Sequence, residues 1–256
     1  KGMVIMDLQQ DLKIETISTT IGYGARAMVG VDTSTLLVNR DNQLMLLSLT
    51  DHTWSQIEDS PIYLEQLSPL ISKNGRIWMS INQGINGTLL SFNPGNDQMD
   101  LFPIETEFER FAFINDREIA LFNDKGEFYD IGQLLIYNTE TGSSKPFLLE
   151  DTAFSIEAKV NDLLLTGENS LWVGAQNGLW YLDLSNNKVE HINHPDFLND
   201  MNITCVYQGE DERFWLGTDQ NGMLIFDYKT NDFEQVSVQQ GLANNLVVGM
   251  IVDDQL

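Results

Sequence analysis

Six polar residues recur along the chain at nearly equal spacing, and three of them are cationic. Their separations are 40, 44, 49, 43 and 43 residues. Cationic groups gathered at one concave surface attract anions, and an arginine can fork onto a carboxylate or a sulfate. The pattern therefore predicts a site for a small anionic ligand, formed by Arg26, Gln66, Arg110, Lys159, Asn202 and Asn245.

Aromatic residues lie near this set in the sequence, namely Tyr23, Tyr63 and Phe154. Aromatic faces stack on sugar rings, so these residues extend the prediction to a carbohydrate ligand. Both groups also have a structural interpretation. The aromatic rings can pack inside the fold, and the polar residues can be strand ends that balance a very acidic surface. A register error of one residue would turn every side chain to the other face.

Other arrangements that could carry chemistry are weak. His191 and His194 lie three residues apart on a strand and its following turn, so they point to different faces. Glycine turns such as Asn177-Gly178 precede strands rather than helices, which argues against a phosphate loop. Acidic runs such as residues 210–212 suit hairpin turns, with calcium binding as the other interpretation. We expect no catalytic residue, metal or cofactor, and no enzyme activity in this chain.

The elements that must position these residues repeat along the chain. Residues 170–189 and 213–233 have the same pattern of a tryptophan strand, a glycine turn and a second strand. The tryptophans, Trp172 and Trp215, are 43 residues apart, and the aspartates that end the second strand, Asp183 and Asp227, are 44 apart. A period of this length with β-rich content indicates a β-propeller or a β-solenoid.

A polar residue marks the same position in each earlier repeat. The marked residues, separated by 41, 45, 45, 45 and 44 residues, are Asp7, Ser48, Asn93, Asn138, Asp183 and Asp227. Turn formers follow each of them, so we expect the side chain to close the strand in an Asx- or Ser-type turn. One more strand precedes and one more follows each pair of strands joined by a glycine turn. Four antiparallel strands of this kind make a propeller blade.

The repeats predict an all-β fold, a β-propeller of four-stranded antiparallel blades. Five complete blades span about residues 25–240, with partial blades at 1–18 and 246–256. If the partial blades pair with each other, the ring has six blades, or seven if flanking sequence contributes. We therefore expect one domain over residues 1–256, cut from a longer chain. A longer turn at residues 123–132 is either functional or a drifted surface hairpin.

Composition excludes several classes of partner. The formal net charge of −24 argues against nucleic acid and against an anionic membrane surface. One cysteine excludes an internal disulfide. The longest apolar run, residues 246–252, is too short to span a bilayer.

The stretches LWVGAQNGLWYLDLSNNKVEHI and FWLGTDQNGMLIFDYKTNDFEQV resemble the two-component regulator propeller repeat. That repeat reads LWIGT, a glycine turn, a short strand that ends near Asp, and an aromatic strand. The resemblance is strong over residues 161–254 and weaker over 26–147, where LWIGT has become RIWMS and Ala120 stands in place of a tryptophan.

The resemblance implies a periplasmic sensor region of an inner-membrane receptor, tethered through segments outside this chain. The output, a histidine kinase or a diguanylate cyclase, would also lie outside it, and such receptors commonly work as homodimers and sense carbohydrates. Two alternatives stay open: a protein-interaction scaffold, and a propeller lyase or lactonase. The second is disfavoured because the predicted site is basic and amide-rich rather than rich in carboxylates and histidines.

Overall fold

The computed structural model describes residues 3–7, 13–17, 25–32, 34–40, 43–51, 53–56, 71–83, 86–96, 98–108, 110–125, 131–193 and 196–250. It is a β-propeller whose blades are antiparallel sheets, most of them with four strands. Each blade follows chain order, so its first strand lies at one edge of the sheet and its fourth at the other. First strands of neighbouring blades contact each other in three of the four pairs, as the inner strands of a propeller do.

Five blades have this form. Blade 1 contains β3 (Ala25–Asp32), β4 (Thr35–Arg40), β5 (Gln43–Ser48) and β6 (Trp54–Gln56). Blade 2 contains β7 (Ile71–Lys73), β8 (Arg76–Gln83), β9 (Asn86–Asn93) and β10 (Gln98–Ile104). Blade 3 contains β11 (Arg110–Phe113), β12 (Glu118–Lys125), β13 (Ile131–Asn138) and β14 (Ser143–Pro146).

The last two blades are the most regular. Blade 4 contains β18 (Val160–Thr166), β19 (Ser170–Ala175), β20 (Gly178–Asp183) and β21 (Lys188–Ile192). Blade 5 contains β22 (Ile203–Gln208), β23 (Phe214–Thr218), β24 (Met223–Asp227) and β25 (Asp232–Val236). Three short strands follow blade 3 in the sequence, β15 (Leu148–Leu149), β16 (Thr152–Ala153) and β17 (Ser155–Ile156). The first two pair with each other, and β17 pairs with β13 as a fifth strand of the blade 3 sheet.

The prediction of six blades is wrong. At the N-terminal end, β1 (Met3–Asp7) and β2 (Lys13–Ile17) form a sheet of only two strands. Residues 246–250 form no strand, and residues 251–256 lie outside the described part of the chain. A strand needs a continuous ladder of hydrogen bonds, and this segment is held to blade 5 at Val247, whose N–H donates to Thr218 O at 2.9 Å.

The predicted strand-closing turns are confirmed at four of the six positions; the turn after Asp7 lies outside the described residues, and the Ser48 hydroxyl bonds to the Asp51 carboxylate instead. The Oδ1 atom of Asp227 accepts the N–H groups of Lys229 and Thr230 at 2.8 and 3.2 Å. The Oδ1 atom of Asn138 accepts those of Glu140 and Thr141, both at 3.0 Å. Asp183 and Asn93 make the same kind of turn. An acceptor two residues before a free N–H satisfies that donor locally, which explains the period of the polar residues.

The core lies between the blades. One cluster of buried side chains joins blades 3 and 4, a second joins blades 4 and 5, and others join blades 1 and 2 and blades 2 and 3. Each fully buried Leu, Ile or Phe contributes roughly 1.5–3 kcal/mol of hydrophobic stabilisation. Both ends of the longer turn predicted at residues 123–132 belong to strands, because β12 and β13 stay paired out to Lys125 and Ile131; residues 126–130 lie outside the described residues.

The two sides of the propeller are distinct. The turns that join first to second strands and third to fourth strands lie on one side, here called the lower side. The upper side carries the turns between second and third strands and the connections into the next blade, so each first strand begins there.

Candidate functional site

The upper ends of the inner strands bring part of the predicted anion site together. Arg110 is the first residue of β11, and Asn202 directly precedes β22. The strands are neighbours of β18 on its two sides. Arg110 and Asn202 are therefore separated by a single inner strand.

Hydrogen bonds connect these residues through Asn161. The Nε atom of Arg110 donates to Asn161 O. The Nδ2 group of Asn161 donates to Asn202 Oδ1 at 2.7 Å and to Ile203 O at 2.9 Å, and Asn202 Nδ2 donates to Asp219 Oδ2 at 3.1 Å. This chain of hydrogen bonds, from Arg110 to Asp219, links blades 3, 4 and 5 and is called the inner chain below.

Asn161 was not predicted, because a β-bulge places it. The pairing of β18 with β19 shifts register between Val160 and Asp162, which leaves Asn161 unpaired in the ladder. Thr204, 43 residues later, occupies the same kind of bulge in β22, and its hydroxyl donates to Val247 O. Bulges change the direction in which a side chain points. Here the side chain of Asn161 donates to Ile203 O, and that of Thr204 donates to Val247 O. The 43-residue spacing between Asn161 and Thr204 is the feature of the sequence that could have identified both residues.

Asp162 lies beside this chain and fastens blade 4 to blade 5. Its Oδ2 atom accepts the N–H of Val206 at 2.8 Å, and its Oδ1 atom accepts that of Leu163 at 3.0 Å. Burial of the carboxyl group raises its pKa to about 6, because desolvation outweighs these hydrogen bonds and the nearby charge of Arg110. Burial and the Asp162 charge together raise the pKa of the Cys205 thiol to about 12, so this cysteine stays protonated and is a poor nucleophile.

The contacts described for Lys159, Asn245 and Phe154 lie outside the inner chain. Lys159 is half-buried, and its backbone carbonyl accepts the N–H of Gln176 at 2.9 Å. Asn245 closes the edge of blade 5, where its Oδ1 atom accepts the N–H of Val238 at 3.0 Å. Phe154 is buried against Phe147 and Trp180, as the packing interpretation expects.

Four predicted positions cannot be placed at side-chain level. The backbone of Arg26 belongs to β3, but its side chain lies outside the described part of the structure. Gln66, Tyr23 and Tyr63 lie outside the described residues altogether. Their role in ligand binding stays a prediction.

The described residues contain no group of three or more His, Cys, Asp or Glu side chains that could hold a metal ion. His191 stacks on Trp180 with ring centres 4.1 Å apart, and its Nε2 atom lies 2.8 Å from Asn177 O. In the acidic turn at residues 210–212, the Asp211 carboxylate accepts from Arg213 at 2.6 Å. These groups are engaged in local structure, and the inner chain contains no nucleophile paired with a base.

Residues 198–220 match the family model described as "Two component regulator propeller". The resemblance found in the sequence is thereby confirmed, and the chain carries a repeat of this family. The matched segment contains β22 and β23, the strands that hold Thr204, Cys205 and Trp215. No curated protein matches the chain.

Solved structures share the fold at low sequence identity. The extracellular domain of the putative hybrid two component system BT4673 from B. thetaiotaomicron is 15% identical, with a TM-score of 0.64 over 99% of this chain. That of BT3049, from the same organism, is 14% identical, with a TM-score of 0.56 over 82% of this chain and 29% of its own. A putative TolB from Agrobacterium tumefaciens is 10% identical, with a TM-score of 0.65 over 87% of this chain and 83% of its own.

The chain spans about a third of the length of BT4673, with 36% of that structure covered. At these identities the likeness establishes the propeller fold alone. Among the residues that the structure describes, no helix is long and apolar enough to cross a membrane.

Proposed function

We propose that this chain is an extracytoplasmic sensing segment of a transmembrane two-component receptor, and that it binds a carbohydrate or a small anion. The observation that carries the proposal is the family match at residues 198–220. The likeness in fold to the extracellular domain of a putative hybrid two component system, over 99% of this chain, supports it.

In this proposal the chain binds and does not catalyse. Kinase or cyclase output belongs to parts of the receptor outside these residues, as do its membrane tether and the contacts of a homodimer. The fold suits this division of labour, because rigid blades present their loops and strand ends as a shaped surface.

The inner chain is the proposed contact for an anionic ligand. Arg110 brings a guanidinium group to the upper end of the inner strands, close to the amide side chains of Asn161 and Asn202. A carboxylate or sulfate there would accept from both kinds of donor. Because these groups also hold one another, ligand binding would compete with contacts between blades 3, 4 and 5.

A protein-interaction scaffold is the second candidate. Arg110, Asn202 and Asn245 are bound to other groups of this chain, which leaves fewer donors for a small anion and so favours the scaffold over anion binding. The likeness in fold to a putative TolB is consistent with either function.

A thermal-shift screen of the 256-residue chain tests the proposal. The panel contains neutral monosaccharides and oligosaccharides, acidic oligosaccharides, small carboxylates and sulfate. A ligand at 100 times its Kd stabilises the folded state by about 2.7 kcal/mol and raises Tm by several degrees. Stabilisation by at least one compound is the expected result.

Two arginine variants in blade 3 locate an anionic ligand. Arg110→Gln should remove the shift, whereas Arg117→Gln should keep it, because Arg117 is exposed and pairs with Glu140 at 3.1 Å on the lower side. No stabilisation by any compound in the panel would contradict ligand sensing by this chain and favour the scaffold.

A further inference from the structure

A cavity of about 240 Å³ opens on the lower side between blades 2 and 3. It lies at the opposite end of the propeller from the inner chain. Its walls include Lys73, Arg76, Trp78, Phe102, Phe113 and Thr139. The volume is slightly below the usual range for small-molecule pockets, so the cavity has room for one ring rather than a long chain.

The repeat shows why the cavity exists. Trp172 in blade 4 occupies the position of Trp78 in blade 2, and its ring is closely covered: ring centres of Phe214, Tyr181 and Tyr228 lie 4.2, 4.9 and 5.0 Å away. Only 3% of Trp172 is exposed. The same cleft between blades 4 and 5 is therefore filled by aromatic rings.

Around Trp78 both tyrosines are missing. Trp172 pairs across strands with Tyr181, whereas Trp78 pairs with Ser91. Tyr228 directly follows the turn residue Asp227, and the residue that follows the equivalent Asn138 is Thr139. Thr139, at the position of Tyr228, lines the cavity, whereas Ser91, at the position of Tyr181, is buried and accepts from Arg76 Nε. Trp78 lines the same cavity and remains half-buried.

Three aromatic rings line the cavity, and Lys73 covers one face of the Phe113 ring. The ring centre of Trp78 lies 5.3 Å from that of Phe102 and 5.0 Å from that of Phe113. Aromatic linings of this kind bind the apolar C–H face of a ring, and polar groups around the edge set its orientation.

The two cations at the edge are already engaged. Lys73 Nζ lies 4.6 Å above the Phe113 ring centre and 3.6 Å from Asp116 Oδ1. Arg76 Nη2 lies 2.6 Å from Asp100 Oδ2 and also donates to Ser91 O at 3.2 Å. Carboxylates thus balance both positive charges, which disfavours an anionic ligand, and Lys73 occupies the cation–π position, which disfavours a cationic one.

A neutral ring with several hydroxyl groups fits the remaining chemistry. The lining offers both donors and acceptors, including the Asn74 amide, the Asp116 carboxylate and the Thr139 hydroxyl, and Asn74 Nδ2 lies 3.5 Å from Asp116 Oδ1. We propose that this cavity binds one pyranose ring of a neutral carbohydrate. The inference rests on the proposed sensing function and assigns its ligand class to a site away from the inner chain.

The test fills the cavity as the protein itself does between blades 4 and 5. Thr139→Tyr places a tyrosine at the position of Tyr228, in a turn with the same hydrogen bonds, so the variant should fold. Thr139→Ser is the matched control, because it keeps the hydroxyl that donates to Arg117 O at 3.2 Å and leaves the cavity open.

The probes are the methyl glycosides of glucose, galactose, mannose and xylose, measured by calorimetric titration and by tryptophan fluorescence. We expect at least one to bind the unchanged chain, Thr139→Tyr to weaken that binding tenfold or more, and Thr139→Ser to change it less than threefold. Circular dichroism and Tm check that each variant is folded.

The outcomes separate this proposal from the sensing function. A glycoside that binds Thr139→Tyr as tightly as the unchanged chain would overturn the cavity site and leave carbohydrate sensing in place. Binding of anions alone, abolished by Arg110→Gln, would overturn the cavity site and support the inner chain. No binding by any glycoside or anion would overturn both.

Discussion

At the scale of single residues, Asp162 shows most clearly how hydrogen bonding and burial shift the pKa of a carboxyl group in opposite directions. It accepts two backbone N–H groups and lies near Arg110, and each of these favours the carboxylate. Burial favours the neutral acid and dominates, so its pKa is raised from 3.8 to about 6. The exposed turn residue Asp183 shows the opposite balance, because the side chains and N–H groups of Asn186 and Ser185 lower its pKa to about 2.

Asp162 should therefore make the fold less stable as pH rises. A carboxyl group whose pKa is raised by folding binds its proton more tightly in the native state, so its contribution is present below pH 3.8 and is lost as pH rises through about 6. The shift corresponds to about 3 kcal/mol. Asp162→Asn should remove this dependence, so the difference in unfolding free energy between variant and unchanged chain should move in favour of the variant by about 2–3 kcal/mol from pH 4 to pH 7.

Urea unfolding at several pH values measures this difference. Asp232→Asn, an exposed residue at the start of β25, is the control for loss of one negative charge. A difference that stays constant across this pH range would show that Asp162 is not the titrating group.

At the scale of elements, the hairpin turns show two reasons why a position requires glycine: a positive φ, and a lack of space for a Cβ atom. Gly75, between β7 and β8, has φ +70°, and open space surrounds the position of an added Cβ. Gly222, between β23 and β24, has φ +79°, and an added Cβ would collide with Val236 O. The Gly222 turn is also held by the Thr218 hydroxyl, which donates to Gly222 O at 2.8 Å.

Alanine at these two positions should have different costs. Gly75→Ala should lower the unfolding free energy by about 1–2 kcal/mol, the cost of a left-handed backbone with a side chain. Gly222→Ala adds a collision with backbone and should lower it by about 3 kcal/mol or more. Chemical denaturation of both variants provides the comparison. Equal losses would mean that the strand end at Val236 moves away at little cost.

Local chemistry explains which elements the sequence could predict. Asn138 and Asp183 were identified because each accepts N–H groups only two and three residues away. The sixth blade was predicted wrongly because residues 246–250 have an apolar pattern, and the ladder that would make them a strand depends on a partner far along the chain. Asn161 was missed for a related reason, since its bulge is defined by the pairing of two strands. The cavity at Trp78 depends on Thr139 from the next blade, and no single repeat contains both.

At the scale of the whole molecule, the dominant feature is negative charge. The chain has 38 acidic and 14 basic residues. Cations such as Arg76, Arg117 and Arg213 are already paired with carboxylates. Exposed pairs contribute only about 0–1 kcal/mol each, so they leave a large excess of carboxylates that repel one another across the surface.

This repulsion predicts that salt stabilises the protein. Raising NaCl from about 20 mM to about 300 mM shortens the screening length from about 20 Å to about 6 Å. The folded state holds its carboxylates closer together than the unfolded chain does, so screening should raise Tm by a few degrees. Choline chloride should act like NaCl, because the effect depends on ionic strength rather than on a bound sodium ion. The effect of salt should shrink as pH falls from 7 toward 5, because the pH then approaches the sequence pI of about 4.1 and the net negative charge decreases. A Tm that is flat or falls with salt at pH 7 would mean that attractive pairs, rather than net repulsion, govern the electrostatic stability of this propeller.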